Sequence, residues 1–270
     1  MFFDDVKNRR SVRSFNGEGV KEELLKDLEN YSKTITNPFD IPVEFLFFNA
    51  KEYGLSSPVI TGEKEYILTK IKAVENADIA FGYSFQDLLM YAQSKGLGTV
   101  MIGGTMPREK FEKAAGITEG ELMPCISPIG VVAKKMGVKE VLMRKGIKAD
   151  TRFPFTKLFF EEDFNKALDE DRAKELGIYE ALEAVRLAPS AVNKQPWRIV
   201  VSENVAHFYE KKDKGYDNGK FDLQKVDLGI ALYNFSRGLE ELGMKAEIRI
   251  SDPGLEIGAN TGYIASYAWN

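Results

Sequence analysis

The chain has one histidine and one cysteine among its 270 residues, and that scarcity removes whole classes of chemistry. Zinc hydrolases need two or three histidine ligands, and a Ser-His-Asp triad would have to recruit His207 with no G-x-S-x-G turn to present a serine. His207 lies in the apolar run V-A-H-F-Y, where a strand-borne, structurally satisfied side chain is expected. Cys125, alone in L-M-P-C-I, excludes an intrachain disulfide and any multi-cysteine metal site, and its apolar neighbours suit a buried spectator. No run reaches the roughly 20 apolar residues that span a bilayer. The start, M-F-F-D-D-V-K-N-R-R, lacks the apolar core of a signal peptide, so a cytoplasmic location with no membrane partner is expected. Basic surplus is also missing. A net charge of -4 argues against a nucleic-acid partner while leaving room for a local pocket that takes a small anion. No G-x-G-x-x-G follows an expected strand, so a Rossmann domain is not indicated. An enzyme of this composition would leave the difficult chemistry to a cofactor.

What is present is an ordinary core-forming composition, 44% hydrophobic and 29% charged, enough for one large core or two modest ones. Lys21 to Tyr31 has helical spacing, Val43 to Asn49 and Glu65 to Ile71 read as strands, and an apolar helical stripe from Ala77 stops at Gly96-Leu97-Gly98. Pro128 to Ala133 reads as a buried strand. The second half repeats this order: helix Tyr179 to Leu187, a proline-rich turn, strand Arg198 to Ser202, then an acid, an apolar helix, a glycine and a strand from Val226 to Ile248. Asp78 to Gly96 can be laid beside Asp227 to Gly243 with a short gap. Either the chain is a duplication or it reuses the helix–Gly–strand unit common in α+β proteins. Between the halves, N-K-A-L-D-E-D-R-A-K-E-L-G suits a solvated helix or linker, and Arg152 is set among aromatic residues and proline.

Two segments carry candidate chemistry. Arg9, Arg10 and Arg13 place three guanidinium groups within five positions, with Ser11 among them. They are either solvated surface charge or a cradle for phosphate, since the arginine fork donates paired charge-assisted hydrogen bonds to oxyanions. In A-P-S-A-V-N-K-Q-P-W, Pro189 and Pro196 restrict the backbone while Ser190, Asn193 and Gln195 offer groups that read a heteroaromatic edge. The plainer alternative is a tight helix-to-strand loop whose polar side chains cap backbone groups. Trp197 would anchor the following strand.

Together these segments resemble the flavin-dependent nitroreductases. The N-terminal R-R-S-hydrophobic-R-x-F of that family is matched by Arg9 to Phe15, its A-P-S-x-x-N-x-Q-P-W by Ala188 to Trp197, and its helix ending in G-L-G-T by Ala92 to Thr99. The resemblance implies an α+β nitroreductase-like fold of two diverged repeats, each with a central, mostly antiparallel sheet flanked by helices, forming an intrachain pseudo-dimer. The halves are expected at 1–165 and 166–270, packed as one unit. In ordinary members FMN sits between two identical subunits, one supplying the arginines and the other the P-S-x-x-N turn. Here Thr36 to Pro42, T-N-P-F-D-I-P, lacks the Ser, Asn and Gln of that turn, and no R-R-S-V-R precedes Pro189. One composite site is therefore expected, as in a small branch whose single chain imitates the dimer.

By resemblance, Arg9, Arg10 and Arg13 contact the FMN phosphate and the pyrimidine side of the ring, with Ser11 bonding nearby. Pro189, Ser190, Ala191 and Asn193 approach from the other half. The backbone of Met101, Ile102, Gly103 and Gly104 reaches the flavin near N5. Gly103 departs from the acidic residue many relatives have there and leaves only its N–H. Arg152 matches the late basic residue that closes on the phosphate, and Thr61, in P-V-I-T-G-E-K, matches a polar flavin contact. The implied activity is ping-pong hydride transfer from NAD(P)H, a transient co-substrate, through FMN to a nitroaromatic, quinone or similar small acceptor. The alternative is a non-catalytic flavin-binding or sensing protein that keeps one pocket. A monomer is expected, because the usual dimer interface would lie within the chain.

Overall fold

The expected boundary near residue 165 is not where the chain divides. In the computed structural model, which describes residues 1–270, one unit comprises Asn8–Ala149 and the other Met1–Lys7 with Asp150–Asn270. Helix α1 (Phe2–Asn8) explains the exchange of the first seven residues. The Met1 amine pairs with Glu241 at 2.6 Å, the Phe2 ring meets Tyr233 edge-on at 6.3 Å, and Lys7 pairs with Glu180 at 3.5 Å. Buried Phe2 and Val6 supply the apolar part of that attachment.

In the Asn8–Ala149 unit the elements are α2 (Glu22–Ser32), β1 (Val43–Asn49), β2 (Glu65–Lys72), α3 (Ala77–Ser94), β3 (Gly98–Thr99), α4 (Arg108–Ala115), β4 (Glu121–Leu122), β5 (Ser127–Gly130) and α5 (Val138–Gly146). The sheet runs β1-β2-β5-β3, with β4 also on β2, and every pairing is antiparallel. Strand β2 lies between neighbours, so Tyr66, Ile67, Leu68 and Thr69 are wholly buried and its sequence is apolar on both faces rather than alternating. Helix α3 is buried around most of its circumference, as its apolar composition requires. It stops where Gly96 adopts φ +78°, the left-handed conformation that glycine takes without steric cost after a helix end. Val12, Phe15, Tyr66, Leu68, Ile102, Phe111 and Ile126 belong to one apolar cluster in this unit.

The other unit continues with α6 (Phe155–Leu158), β6 (Phe159–Glu161), α7 (Glu170–Glu175), α8 (Tyr179–Arg186), β7 (Trp197–Ser202), β8 (Val205–Lys211), α9 (Leu223–Glu241), β9 (Ala246–Arg249) and β10 (Thr261–Trp269). Its sheet runs β6-β7-β8-β10-β9. Strand β6 pairs in parallel with β7, Phe159 opposite Ile199, and together with α6 it buries Phe155, Leu158 and Phe159, which is why residues 150–165 fold with the later sequence. The charged stretch forms the short α7, capped by Asp169, whose side chain accepts from Arg172 N at 2.8 Å. His207 sits on β8 with Nδ1 2.7 Å from Ser266 Oγ, and burial lowers its pKa. Helix α9 packs so tightly on α8 that a Cβ at Gly238 would lie 2.8 Å from Ala181 Cα.

Setting aside β4 and β6, the two sheets have one plan. Each opens with a hairpin (β1-β2, β7-β8). A long buried helix follows (α3, α9), then a short strand (β3, β9) and a last strand that enters the sheet between that short strand and the hairpin (β5, β10). This shared order is the fold-level form of the internal repeat.

Candidate functional site

The fourteen candidate residues fall into two groups, one on each unit. In the first, the segment from Arg9 to Phe15 runs as an added strip along three others. Val12 N donates to Thr99 O at 2.9 Å, Thr61 N to Arg13 O at 2.9 Å, Phe15 N to Thr61 O at 2.8 Å, and Ala133 N to Ser14 O at 3.0 Å. Buried Val12 and Phe15 anchor the strip, while Arg9, Arg10, Ser11 and Arg13 stay partly exposed. Val12 can lie this close because position 98 is glycine: a Cβ there would be 2.9 Å from Val12 Cβ and 2.7 Å from Val132 Cγ2.

Helix α5 adds an acid to this strip. Buried Glu140 accepts from Arg10 Nη1 through Oε1 and from Arg13 N, at 3.1 Å, through Oε2. The Arg13 guanidinium is the distinctive feature, because its Nε and Nη1 are buried with no hydrogen-bond acceptor. Burial pushes its pKa down, Glu140 pulls it up and Arg144 lowers it further. Arginine stays charged through such shifts. Buried charged donors without acceptors are costly, and an incoming oxyanion would satisfy them. The residues present therefore fit a phosphate.

Beyond β3 the chain passes Met101, buried Ile102, Gly103 and exposed Gly104. Ile102 exchanges both backbone hydrogen bonds with Ile126, at 2.8 and 3.0 Å. Arg108 clamps this stretch, donating to Gly103 O at 2.6 Å, Met123 O at 2.6 Å and Pro124 O at 3.1 Å. The Gly103 carbonyl is thus committed to the protein, and its N–H is the group it could offer a ligand.

The second group is the turn after α8. Ala191 N donates to both carboxyl oxygens of Asp227 at 3.0 Å, Asn193 N to Ser190 O at 3.0 Å, and Gln195 N to Ser190 Oγ at 2.9 Å. Gln195, almost fully buried, accepts from Phe153 N at 2.9 Å. Arg152 donates to Asn193 Oδ1 at 3.3 Å and Leu187 O at 3.1 Å, and Asn193 Nδ2 donates to Thr151 O at 3.0 Å. Val192, Asn193 and Gln195 all have positive φ, of 51°, 57° and 50°. For a β-branched residue such as Val192 this is a true outlier, the kind of local strain that accumulates at binding sites. In the Thr36–Pro42 loop of the first unit the side-chain bonding rests on Asn37, which donates to Ser84 Oγ on α3 at 3.1 Å. Asn37 closes it locally, donating to Ile41 O at 2.7 Å and accepting from Phe39 N at 3.1 Å.

A family model described as "Putative TM nitroreductase" matches residues 2–238. The chain belongs to that nitroreductase family. A crystal structure described as a putative nitroreductase from Thermotoga maritima is 20% identical, with a TM-score of 0.63 over 99% of this chain and 92% of that one. A nitroreductase family protein from Clostridium difficile 630 matches at 14% identity and TM-score 0.47, over 58% of this chain and 95% of its own. An FMN-dependent nitroreductase from Clostridium difficile R20291 matches at 18% and 0.41, over 52% and 94%. No curated protein matches the sequence. The full-length likeness to the Thermotoga maritima protein shows the nitroreductase fold for the chain as a whole.

In this nitroreductase, Arg9, Arg10, Ser11, Arg13 and Thr61 come together with the segment leading to Met101, Ile102, Gly103 and Gly104, and Arg152 comes together with Pro189, Ser190, Ala191 and Asn193. Sequence reasoning did not single out Glu140, Arg108 or Asp227 as site residues. Asp227 had a local signal, an acid leading an apolar helix. Glu140 and Arg108 had none, because their partners are far away in sequence.

Proposed function

We propose that this nitroreductase is an FMN-dependent oxidoreductase that uses NAD(P)H to reduce a nitroaromatic, quinone or similar small acceptor. The observation that carries the reading is the Arg13 guanidinium, two of whose nitrogens are buried without an acceptor, next to Arg10 and Arg9 along a chain of this family. FMN, when bound, supplies the two-electron chemistry, so no protein nucleophile or histidine base is called for. In this reading Arg9, Arg10 and Arg13 hold the phosphate with Ser11 and Thr61 at its margin. Met101 to Gly104 present backbone groups to the ring, with the Gly103 N–H oriented by the Ile102 carbonyl of the same peptide plane, which accepts from Ile126 N at 3.0 Å. Pro189, Ser190, Ala191 and Asn193, the second candidate group for flavin contact, lie on a turn that Asp227 and Arg152 hold rigid. Positive groups near the pyrimidine side favour the reduced cofactor by offsetting its charge.

Two measurements test this. Purified protein should show a flavin absorption spectrum, and denaturation should release FMN. NAD(P)H oxidation with menadione or a nitroaromatic should then exceed that of free FMN at the same concentration. A colourless protein that ignores added FMN would refute the reading; a yellow protein without turnover would reduce it to flavin binding. The chain is also proposed to act as a monomer, and sedimentation at low concentration should return a mass near 30.4 kDa.

A further inference from the structure

The arginine strip is held by a helix that faces the wrong way for its composition. Val138, Val141 and Leu142 on α5 are 75%, 49% and 64% exposed, while the one buried side chain of the helix is a carboxylate, Glu140. Leaving three apolar side chains in water and burying an acid is unfavourable unless the acid gains partners inside. Glu140 gains two. One oxygen takes the Arg10 guanidinium and the other the Arg13 backbone N–H, with the acid fully enclosed and Arg10 still 28% open. The charged groups near this carboxylate are Arg10, Arg13 and, close enough to depress Arg13, Arg144. The cluster therefore sets several guanidinium groups around the enclosed carboxylate of Glu140.

We propose that Glu140 is the resident counter-ion of the arginine cluster and, by its charge, sets how strongly that cluster takes a phosphate monoester. This rests on the reading of the cluster as the FMN phosphate seat. Without a ligand, Glu140 compensates guanidinium charge that would otherwise repel itself inside the protein. With a ligand, the same charge opposes the dianionic phosphate and keeps two donors for itself. The device makes the site discriminate. A phosphate borne on a flavin has ring contacts to add, whereas a free anion must bind against Glu140 with nothing else to offer.

Glu140→Gln keeps the shape and removes the charge. Dissociation constants for FMN and for riboflavin, read by flavin fluorescence quenching, should change differently. FMN affinity should rise on the order of tenfold, the effect of one partly screened unit charge, while riboflavin affinity stays near that of the wild type. Inorganic phosphate should also raise the melting temperature of E140Q more than that of the wild type, compared with chloride at equal ionic strength. Glu140→Asp, which keeps the charge, should hold the wild-type ratio of FMN to riboflavin affinity. The proposal is overturned if E140Q leaves that ratio unchanged or lowers it, if E140D behaves like E140Q, or if phosphate stabilises both proteins equally. Should E140Q fold poorly, recovery in phosphate but not in chloride is the expected result and no recovery overturns the idea. Wild-type protein that binds neither flavin would refute the FMN reading, and the phosphate comparison still judges Glu140 alone.

Discussion

Asp227 makes the stability of this protein depend on pH in an unusual direction. Its carboxyl is buried within α9, with both oxygens 3.0 Å from Ala191 N. Burial pushes its pKa well above the ordinary aspartate value, against the opposing pull of the Ala191 N–H, and Asp222 and Glu210 add to the rise. Between the unfolded and folded values the native state binds the extra proton, so stability is full below the unfolded pKa and is lost as pH rises through the folded one. One proton allows a slope of at most about 1.4 kcal/mol per pH unit, which corresponds to several degrees, roughly 3–6 °C, per unit for a domain of this size. Asp227→Asn removes the titration and keeps a carbonyl oxygen for Ala191. Thermal unfolding by circular dichroism at constant ionic strength, from about pH 5 to pH 8, should show a shallower decline in D227N than in the wild type. Glu210 shifts in the same direction, from burial and then Asp222, so a residual slope should persist until Glu210→Gln is added. Asp227→Ala, which leaves the Ala191 N–H without its acceptor, should lose about 1–3 kcal/mol near pH 5, a deficit that shrinks as pH rises because the variant no longer titrates. Equal slopes in wild type and D227N would refute the assignment of the proton to Asp227.

Other perturbations probe separate links. Arg13→Ala should weaken FMN binding by roughly 10- to 100-fold, the value of one charge-assisted hydrogen bond, and an unchanged FMN titration would contradict its role at the phosphate. Val192→Gly should stabilise the protein by about 1 kcal/mol by relieving a left-handed β-branched residue; a lower denaturation midpoint would show that the valine side chain matters more than its φ of 51°. Gly98→Ala should cost about 1–3 kcal/mol and loosen the arginine strip, because the new methyl would meet Val12 and Val132 at less than 3.0 Å. A midpoint equal to wild type would show that the strip yields without cost.

Where local pattern and tertiary role agreed, the elements were readable in advance. The aromatic-rich V-E-F-L-F-F-N is β1 over the expected residues, Ala77 begins α3 and Gly96 ends it, and the A-P-S-A-V-N-K-Q-P-W segment is the strained, side-chain-bonded turn that its prolines and amides suggest. Strand β10 went unread because T-G-Y-I-A-S-Y-A-W carries glycine, alanine and serine at positions that only its burial between β8 and β9 makes strand-like. Helix α5 escaped for the opposite reason, since its apolar residues face solvent and its acid faces inward. The short β6 owes its existence to the parallel pairing with β7, a partner some forty positions away.

Local patterns along the polypeptide were enough to expose the two motifs and the repeated helix–strand order, because periodicity, proline and glycine placement and arginine clustering act over a few residues; the cofactor to expect came from the resemblance of those motifs to a known family. Only the tertiary structure decided that the first seven residues join the later unit, that Asp227 ties down the Ala191 amide, and that Glu140 sits against Arg10 and Arg13. Those outcomes depend on which distant groups are buried together, and the energy of burying a charge exists only once its partners have been brought beside it.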